Sequence, residues 1–449
     1  MQPGTQARLG KWGAIAAALG GAAILVFAGT LAPRLSGSLG APRAPQGPQA
    51  HAAAASLPPL PSGWPGSLQL GTHDSPGGAA TMRETTSYAF RYQYLAGGVN
   101  TDHGWATWNP GGAFVTSYVK ESYEQGLIPV FTYYMIYQSA PGSRQSEKDG
   151  VYTNLQNTAT MLAYYLDLKL FFERAGEFPA QTIVLHVEPD LWGYIQQRTR
   201  GDDAASVPVK VAATEMAELS ELPDTMAGFA RAVVTLRDRY APNVLLGYHL
   251  STWGTGNDIL YSKPSEATVH ALATRAGTFY RSLGAAFDIA FGEFSDRDAA
   301  FKEHQYKDGG ASWWRPDDYA RHVRFLSRFV QVAQARVVLW QIPFGNTRMR
   351  AMNNTWNHYQ DNKVEWLLDE PARTHLQAYL QAGVVAFLFG RGADGATCAC
   401  DANRDGVTNP VPINGNTGES LNADDDGGFF HDRARRYYEA GALPLPGRS

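Results

Sequence analysis

The chain has few cysteines and no excess of charge of either sign. Its 449 residues include only Cys398 and Cys400, separated by one residue, so neither a disulfide framework nor a four-ligand zinc site can be built from them. The 38 basic and 42 acidic side chains give a formal net charge of −4. This balance lacks the basic field that drives general nucleic-acid binding, so we expect no nucleic-acid partner.

Two catalytic motifs are also absent. The sequence contains no His-x-His or His-x-x-x-His pair, the spacings by which one segment supplies two metal ligands. It also lacks the Gly-x-Ser-x-Gly turn that presents the nucleophile in an esterase of the common fold. We therefore predict no metal or other cofactor for catalysis.

The N-terminal region predicts export. Arg8 and Lys11 precede about twenty uncharged residues, 13–32, which fit a signal peptide or an uncleaved membrane anchor. Residues 33–66 are rich in Ala, Pro, Gly and Ser and predict a disordered spacer. The rest is expected outside the cytoplasm, extracellular or periplasmic, with the segment at 13–32 as its only membrane contact and the inner membrane as the site of any anchor.

Residues 67–449 predict one large domain of repeated strand and helix units. With 44% hydrophobic and 12% aromatic residues the chain can bury a sizeable core. Eight apolar runs have the length of strands. They are Leu68–Thr72, Phe90–Gly97, Leu127–Tyr137, Thr182–Glu188, Val244–Ser251, Phe287–Phe294, Arg336–Ile342 and Val384–Phe389.

Periodic segments between these runs predict helices. They are Gly77–Tyr88, Gly112–Gln125, Ala159–Arg174, Thr225–Arg239 with Asp224 as its N-cap, Ser265–Leu283, Pro316–Gln334 and Asn362–Ala382. Eight such units favour a (β/α)₈ TIM barrel; an open doubly wound sheet is the rival, but no glycine-rich phosphate turn follows the first strand. A long Asp-, Asn- and Gly-rich loop at 394–430 and a closing helix at His431–Ala440 complete the domain.

Acidic residues follow two of the predicted strands, at the barrel end where active sites lie. The fourth strand ends at Glu188, with Asp190 just beyond it, and the sixth ends at Glu293, followed by Asp296. Hydrolysis of a glycosidic bond normally needs two carboxyl groups, one on each side of the bond. We predict Glu188 as general acid/base and Glu293, with Asp296 as its substitute, as the second carboxyl. A structural role, capping a helix or pairing with Arg297, is the alternative for each.

A short run supports this interpretation by resemblance. Residues 183–190, Ile-Val-Leu-His-Val-Glu-Pro-Asp, resemble the Val-Glu-Pro-Asp strand end of family 6 cellulases. A Glu at the fourth strand end also resembles the acid/base position of many barrel glycoside hydrolases. The resemblance implies a barrel glycosidase without identifying its family. Glycosidases of the largest clan place their nucleophile after the seventh strand, where this chain has Gln341.

Other polar and aromatic residues at the strand ends are predicted to bind substrate. Flat aromatic faces hold sugar rings, and amides bond to sugar hydroxyls, although aromatics also fill cores. The predicted substrate-binding residues are Asp190, Trp192, Tyr94, Trp105, Tyr134, His249, Trp253, Trp340, Gln341, Asn346 and Arg391.

One loop has the opening of a calcium site. Asp401, Asn403 and Asp405 alternate before Gly406, which places oxygen ligands on every second residue ahead of a tight turn. The twelfth position is Pro412 instead of Glu. The segment therefore fits either a structural Ca²⁺ site or a plain Asx-turn loop.

Taken together, these features predict hydrolysis of a polysaccharide or oligosaccharide outside the cytoplasm. The main alternative is a membrane-tethered carbohydrate-binding or polysaccharide-assembly protein without catalytic activity, since a fold does not prove a function. A polysaccharide lyase is the third possibility, with Arg348, Arg350 and Arg391 as its basic residues.

Overall fold

The computed structural model describes residues 57–295, 297–347, 360–390 and 429–447, with the side chains of 304 and 305 left out. Several predictions fall outside this part of the chain. They are the signal or anchor at 1–32, the spacer up to 56, the cysteines and the loop at 394–428. Among the described residues, no helix has both the length and the apolar character needed to cross a membrane.

Eight parallel strands close into a barrel in their order along the chain, β1 to β8, with β8 pairing to β1. The strands are β1 (Gln69–His73), β2 (Phe90–Ala96), β3 (Ile128–Tyr134), β4 (Ile183–Val187), β5 (Val244–Leu250), β6 (Ile289–Glu293), β7 (Val337–Pro343) and β8 (Val384–Gly390). The predicted (β/α)₈ barrel is confirmed, and closure excludes the open sheet. Each strand coincides with a predicted apolar run to within a few residues.

Helices connect the strands and cover the barrel. They are α1 (Ala79–Thr85), α2 (Ala113–Glu124), α3 (Glu147–Leu155), α4 (Thr158–Ala175), α5 (Leu191–Gln196), α6 (Met226–Tyr240), α7 (Glu266–Ser282), α8 (Ala299–Phe301), α9 (Pro316–Ala333), α10 (Lys363–Leu368), α11 (Thr374–Gln381) and α12 (Phe429–Glu439). A π-helical turn, Lys302–Tyr306, follows α8. Buried apolar side chains fill the space between this layer and the strands as one continuous core.

Two helix predictions need correction. The N-cap of α6 is Thr225, whose hydroxyl accepts from the Gly228 amide at 3.2 Å; Asp224 instead accepts from the amides of Val211 and Ala213. The single helix predicted at 362–382 is two helices, α10 and α11. The break falls at 369–373, where Pro371 cannot donate a helical hydrogen bond.

Aromatic rings fill the upper interior of the barrel. Trp340 of β7 lies against Tyr92 and Tyr94 of β2, with ring centroids 6.3 and 5.9 Å away, and against His186 of β4 and His249 of β5 at 4.8 and 5.9 Å. These contacts cross the barrel, so the interior is packed beneath the carboxyl ends of the strands. Those ends form the mouth, where the site is built.

The two ends of the described chain meet at the opposite face. Part of the predicted spacer, residues 57–66, packs there, with Trp64 buried. The buried guanidinium of Arg336 donates to the carbonyls of Pro58 and Pro446, both at 2.6 Å, and the Leu68 amide donates to the Leu443 carbonyl at 2.7 Å. One side chain therefore joins the first and last segments below the barrel.

Candidate active site

The end of β4 changes direction at two residues in left-handed backbone. Glu188 has φ of 47° and Asp190 has φ of 66°, a region that non-glycine residues seldom occupy. His186, two residues before Glu188, contacts residues inside the barrel. Strict alternation would place the Glu188 side chain inside as well, but the left-handed turn sends it elsewhere.

The Glu188 carboxyl lies in a buried pocket between the β3 loop and α4. Its Oε1 accepts from the amides of Met135 and Ile136 at 3.1 and 3.2 Å, and the Tyr164 hydroxyl of α4 lies nearby. Burial raises the pKa of Glu188 to about 8, although the hydrogen bonds from the two amides and the nearby Tyr164 hydroxyl oppose that shift. The group is only 1% exposed, so it is a neutral acid at neutral pH that holds β3 and β4 together.

The mouth cluster is formed by Asp190, His249 and Glu293. One ligand atom from each of these three side chains lies within 4.8 Å of the others. His249 is fully buried, whereas the two carboxyl residues are partly exposed. Asp190 directly precedes α5 and Glu293 is the last residue of β6, so two carboxyl groups face one another across β5. Within the described residues this is the one group of three such side chains close enough to share a metal ion.

The His249 ring is held from below by His186. The Nδ1 of His249 lies 2.9 Å from Nε2 of His186, whose own Nδ1 is 3.4 Å from Oγ1 of Thr132. Burial lowers the pKa of His249 to about 3 and that of His186 well below its usual value. Both imidazoles are therefore neutral at the pH values where enzymes ordinarily work.

Polar and aromatic groups border the cluster on the β2 and β7 side. The amide of Gln341 donates to the Tyr94 hydroxyl at 3.1 Å, and Gln341 itself has a left-handed φ of 58° beside a register shift between β7 and β8. Trp340 lies beneath them and is 2% exposed. Its ring therefore supports the site from within instead of offering an open face to a ligand.

Glu147 and Tyr194, on the β3 and β4 side of the mouth, are not among the predicted site residues. Tyr134, a predicted residue, donates from its hydroxyl to Glu147 at the start of α3. Tyr194 lies one helical turn after Asp190 and packs against Trp253, with centroids 4.7 Å apart. Burial, followed by the charges of Glu147 and Asp190, raises the pKa of both tyrosines. The four-residue spacing between Asp190 and Tyr194 could have indicated Tyr194 as a site residue. Nothing in the sequence singles out Glu147.

Besides Tyr134, His249 and Trp340, three more of the predicted substrate-binding residues are buried. Trp192 packs on Tyr248 and donates to the Val187 carbonyl at 2.8 Å. Trp105 donates to Asp167 at 2.7 Å, and Asn346 is fully buried. Neither tryptophan ring is exposed, and the N–H of each already donates to a protein acceptor, so both rings serve packing in this structure. The reason is that an aromatic side chain at a strand end also serves to seal the strand against the helix layer.

Five other predicted site residues lie outside the described part of the chain. They are Asp296, Arg391, Asp401, Asn403 and Asp405. The calcium loop and the substitute carboxyl therefore stay predictions.

A pocket opens beside Glu293, on the side away from Asp190. It is bordered by Thr252, Asp258, Tyr261, Lys302, Ser312 and Trp314, among others. The Lys302 ammonium donates to the Tyr261 hydroxyl at 3.0 Å. Polar groups thus continue from the mouth cluster along one direction of the cleft.

No model of a known protein family matches the chain, and no curated protein matches its sequence. Solved structures similar to it include several glycoside hydrolases. A family 26 β-mannanase from Bacteroides ovatus is 11% identical over 82% of this chain and 90% of its own, with a TM-score of 0.38. A modular endo-β-1,4-mannanase of family 26 from Cellulomonas fimi is 12% identical over 85% and 73%, with a TM-score of 0.45. Cellobiohydrolase II from Humicola insolens is 12% identical over 65% and 78%, with a TM-score of 0.34.

Proposed function

We propose that this protein hydrolyses glycosidic bonds in a polysaccharide or oligosaccharide, with Asp190 and Glu293 as its carboxyl pair. The observation that carries the proposal is their approach to within 4.8 Å at the mouth of a closed barrel. Two carboxyl groups facing one cleft are what acid-assisted cleavage of a glycosidic bond requires.

Each carboxyl has a distinct setting. Glu293 borders the pocket that also contains the cation of Lys302, which suits a group that stays ionised and attacks the sugar carbon. Asp190 lies nearer Tyr134 and Tyr194, two hydroxyl groups that share the acidic surroundings of Glu147. We assign the nucleophile to Glu293 and the proton donor to Asp190.

Glu188 then acts as a positioning residue in this proposal. Its buried carboxyl group accepts hydrogen bonds from the two amides that follow β3. Glu188 itself has left-handed backbone and lies two residues before Asp190. The aromatic and amide groups left at the mouth, Tyr94, Tyr194, Trp253 and Gln341, line the cleft that a sugar chain would follow. Export through residues 13–32 and work outside the cytoplasm belong to the same proposal.

The test is a screen of the full-length protein against bacterial and plant polysaccharides for new reducing ends. Asp190→Asn and Glu293→Gln are each expected to lower kcat at least about a thousandfold while polymer binding persists. Glu124→Gln, an exposed carboxyl on α2, is the matched control and should keep full activity. A polymer that binds and is never cut would refute hydrolysis and leave a carbohydrate-binding protein.

A second function is favoured by the composition of the cluster. An imidazole and two carboxylates are also a ligand set for a divalent cation, which would make the protein a metal-dependent hydrolase of a sugar polymer or of its substituents. Chelation separates the two. Activity that survives prolonged dialysis against EDTA supports the carboxyl pair, whereas activity lost to EDTA and restored by Zn²⁺ or Mn²⁺ supports the metal.

A further inference from the structure

One buried nitrogen at the site has no partner. The His249 ring is 0% exposed, and its Nε2 is inaccessible and makes no hydrogen bond to the protein. Buried polar atoms are nearly always bonded, so an exception beside two carboxyl groups points to a ligand atom that completes it.

The ring cannot turn away to find another partner. His249 is bonded through Nδ1 to His186, and the His186 ring is stacked on Phe291 with centroids 4.2 Å apart and planes 9° apart. Trp340 packs edge-on against both imidazoles. The free nitrogen is therefore fixed in direction, on the side of the ring away from His186, and one nitrogen of this ring lies within 4.8 Å of a carboxyl oxygen of Asp190 and of Glu293.

The hydrogen positions follow from counting protons. Each imidazole is neutral and carries one N–H, and a single hydrogen lies between His186 and His249. Glu293, assigned above as the ionised nucleophile, can only accept, so an N–H on Nε2 of His249 suits its surroundings. Nδ1 of His249 then accepts from His186, whose other nitrogen accepts from the Thr132 hydroxyl. All donors in this chain point toward the mouth.

We propose that His186 and Thr132 fix His249 as a neutral donor, and that its Nε2–H binds a hydroxyl of the sugar whose bond is cleaved. The substrate role rests on the proposed function. Three polar atoms up to 4.8 Å apart leave room for one oxygen at ordinary hydrogen-bond distances of about 2.8 Å. That hydroxyl accepts from His249 and donates to a carboxylate. His249 is thus a substrate-binding residue, and His186 and Thr132 are positioning residues.

The tautomer is measured on the full-length protein labelled with ¹⁵N-histidine, without substrate. Protonated and unprotonated ring nitrogens have well-separated ¹⁵N shifts, and His249→Gln identifies the signals. We expect His249 to carry its proton on Nε2. His186→Phe keeps the stacking on Phe291 but removes both nitrogens, and Thr132→Val removes only the hydroxyl. Both should give His249 a mixture of tautomers.

The kinetic readout uses whichever polysaccharide the wild-type protein cuts. His186→Phe should lower kcat about tenfold, equivalent to about 1.4 kcal/mol, because a disordered donor is productive only part of the time. A loss of folded protein with the wild-type tautomer retained would show a merely structural role and overturn the inference.

Two other results would also overturn it. One is a proton on Nδ1 of His249 in the wild-type protein. The other is a shift of the His249 Nε2 signal on titration with Zn²⁺, which would make this nitrogen a metal ligand. Failure of the proposed function looks different, because the expected tautomer would then be seen while no polysaccharide is cut.

Discussion

Three non-glycine residues around the mouth have left-handed backbone. Glu188 and Asp190 follow the end of β4, and Gln341 lies within β7. Such conformations cost free energy and persist where surrounding contacts hold them. At Glu188 the contacts are two amide donors and Tyr164. The strain is thus offset by a buried acid, and its result is the placement of Asp190 beside Glu293.

The buried acid predicts a pH-dependent stability. Glu188 has a pKa of about 8 when folded and 4.5 as its ordinary value, so between these values the folded state holds a proton that the unfolded chain releases. Stability should therefore fall as pH rises through this window. Urea unfolding of wild type and Glu188→Gln at pH 5 and pH 8.5 measures the effect.

The glutamine variant should show a smaller loss between the two pH values, since its amide accepts from Met135 and Ile136 without titrating. Asp74 and Asp167, whose pKa values burial raises to about 6, titrate in both proteins and cancel in the comparison. Glu188→Ala, which leaves two amides unpaired, should be less stable by about 2 to 3 kcal/mol. Equal pH dependence of wild type and Glu188→Gln would refute the buried acid.

The spacing of the carboxyl pair predicts the stereochemical outcome. The nearest carboxyl oxygens of the pair lie within 4.8 Å, well below the about 6.5–9.5 Å that admits a water in inverting glycosidases and on the side of retaining ones, at about 5–5.5 Å. Glu293 should therefore form a covalent intermediate. NMR of the first product released is expected to show the anomer of the substrate, and the opposite anomer would contradict the assignment of Glu293 as nucleophile.

The positions and roles of the individual site residues could be predicted only in part from the sequence. The carboxyl ends of β4 and β6 could be located because apolar runs stop there, so Asp190 and Glu293 were both named. The sequence did not reveal that Glu188 turns outward, because alternation along a strand predicts the opposite side, and a left-handed glutamate has no sequence signal. His186 escaped notice because a polar residue inside a strand is recognised only by its partner on the next strand.

Among the elements, α5 is fastened to the barrel chiefly by Trp192. Its ring lies among Phe229, Tyr248 and Phe287, and its Nε1 bonds to the last residue of β4. The short helix directly follows Asp190, so this packing fixes the carboxyl indirectly. Burial in an aromatic cluster of this kind is a stability feature, in contrast to the sugar-binding role that the sequence suggested.

Trp192→Ala should consequently destabilise the fold by about 3 to 5 kcal/mol, the usual cost of emptying such a volume. Trp253→Ala is the comparison, because that ring is partly exposed and packs mainly on Tyr194. It should cost less stability and instead raise KM for the polymer. Melting temperatures and KM for both variants decide the matter; a raised KM with unchanged stability for Trp192→Ala would restore it as a binding residue.

Strand and helix positions were predictable at this scale because hydrophobic periodicity is local. Where prediction failed, a non-local contact decided the result. Asp224 bonds to a loop thirteen residues earlier instead of capping α6, and the two helices α10 and α11 are separated at a proline within an otherwise periodic segment.

At the scale of the whole molecule, Arg336 links the first and last described segments below the barrel. Arg336→Met keeps the aliphatic stem but leaves the carbonyls of Pro58 and Pro446 without their donor. We expect a loss of about 3 kcal/mol in the free energy of unfolding. Arg435→Met on the exposed face of α12 should cost less than about 1 kcal/mol, and equal effects of the two would show that the link contributes nothing.

The same link fixes where the described chain enters the barrel. Residue 57 enters at the face opposite the mouth, and the seven-residue strands between the two faces span roughly 20 Å. Residue 57 and the mouth cluster therefore lie on opposite faces, so whatever precedes residue 57 is attached away from Asp190 and Glu293 and leaves the approach of a polymer open.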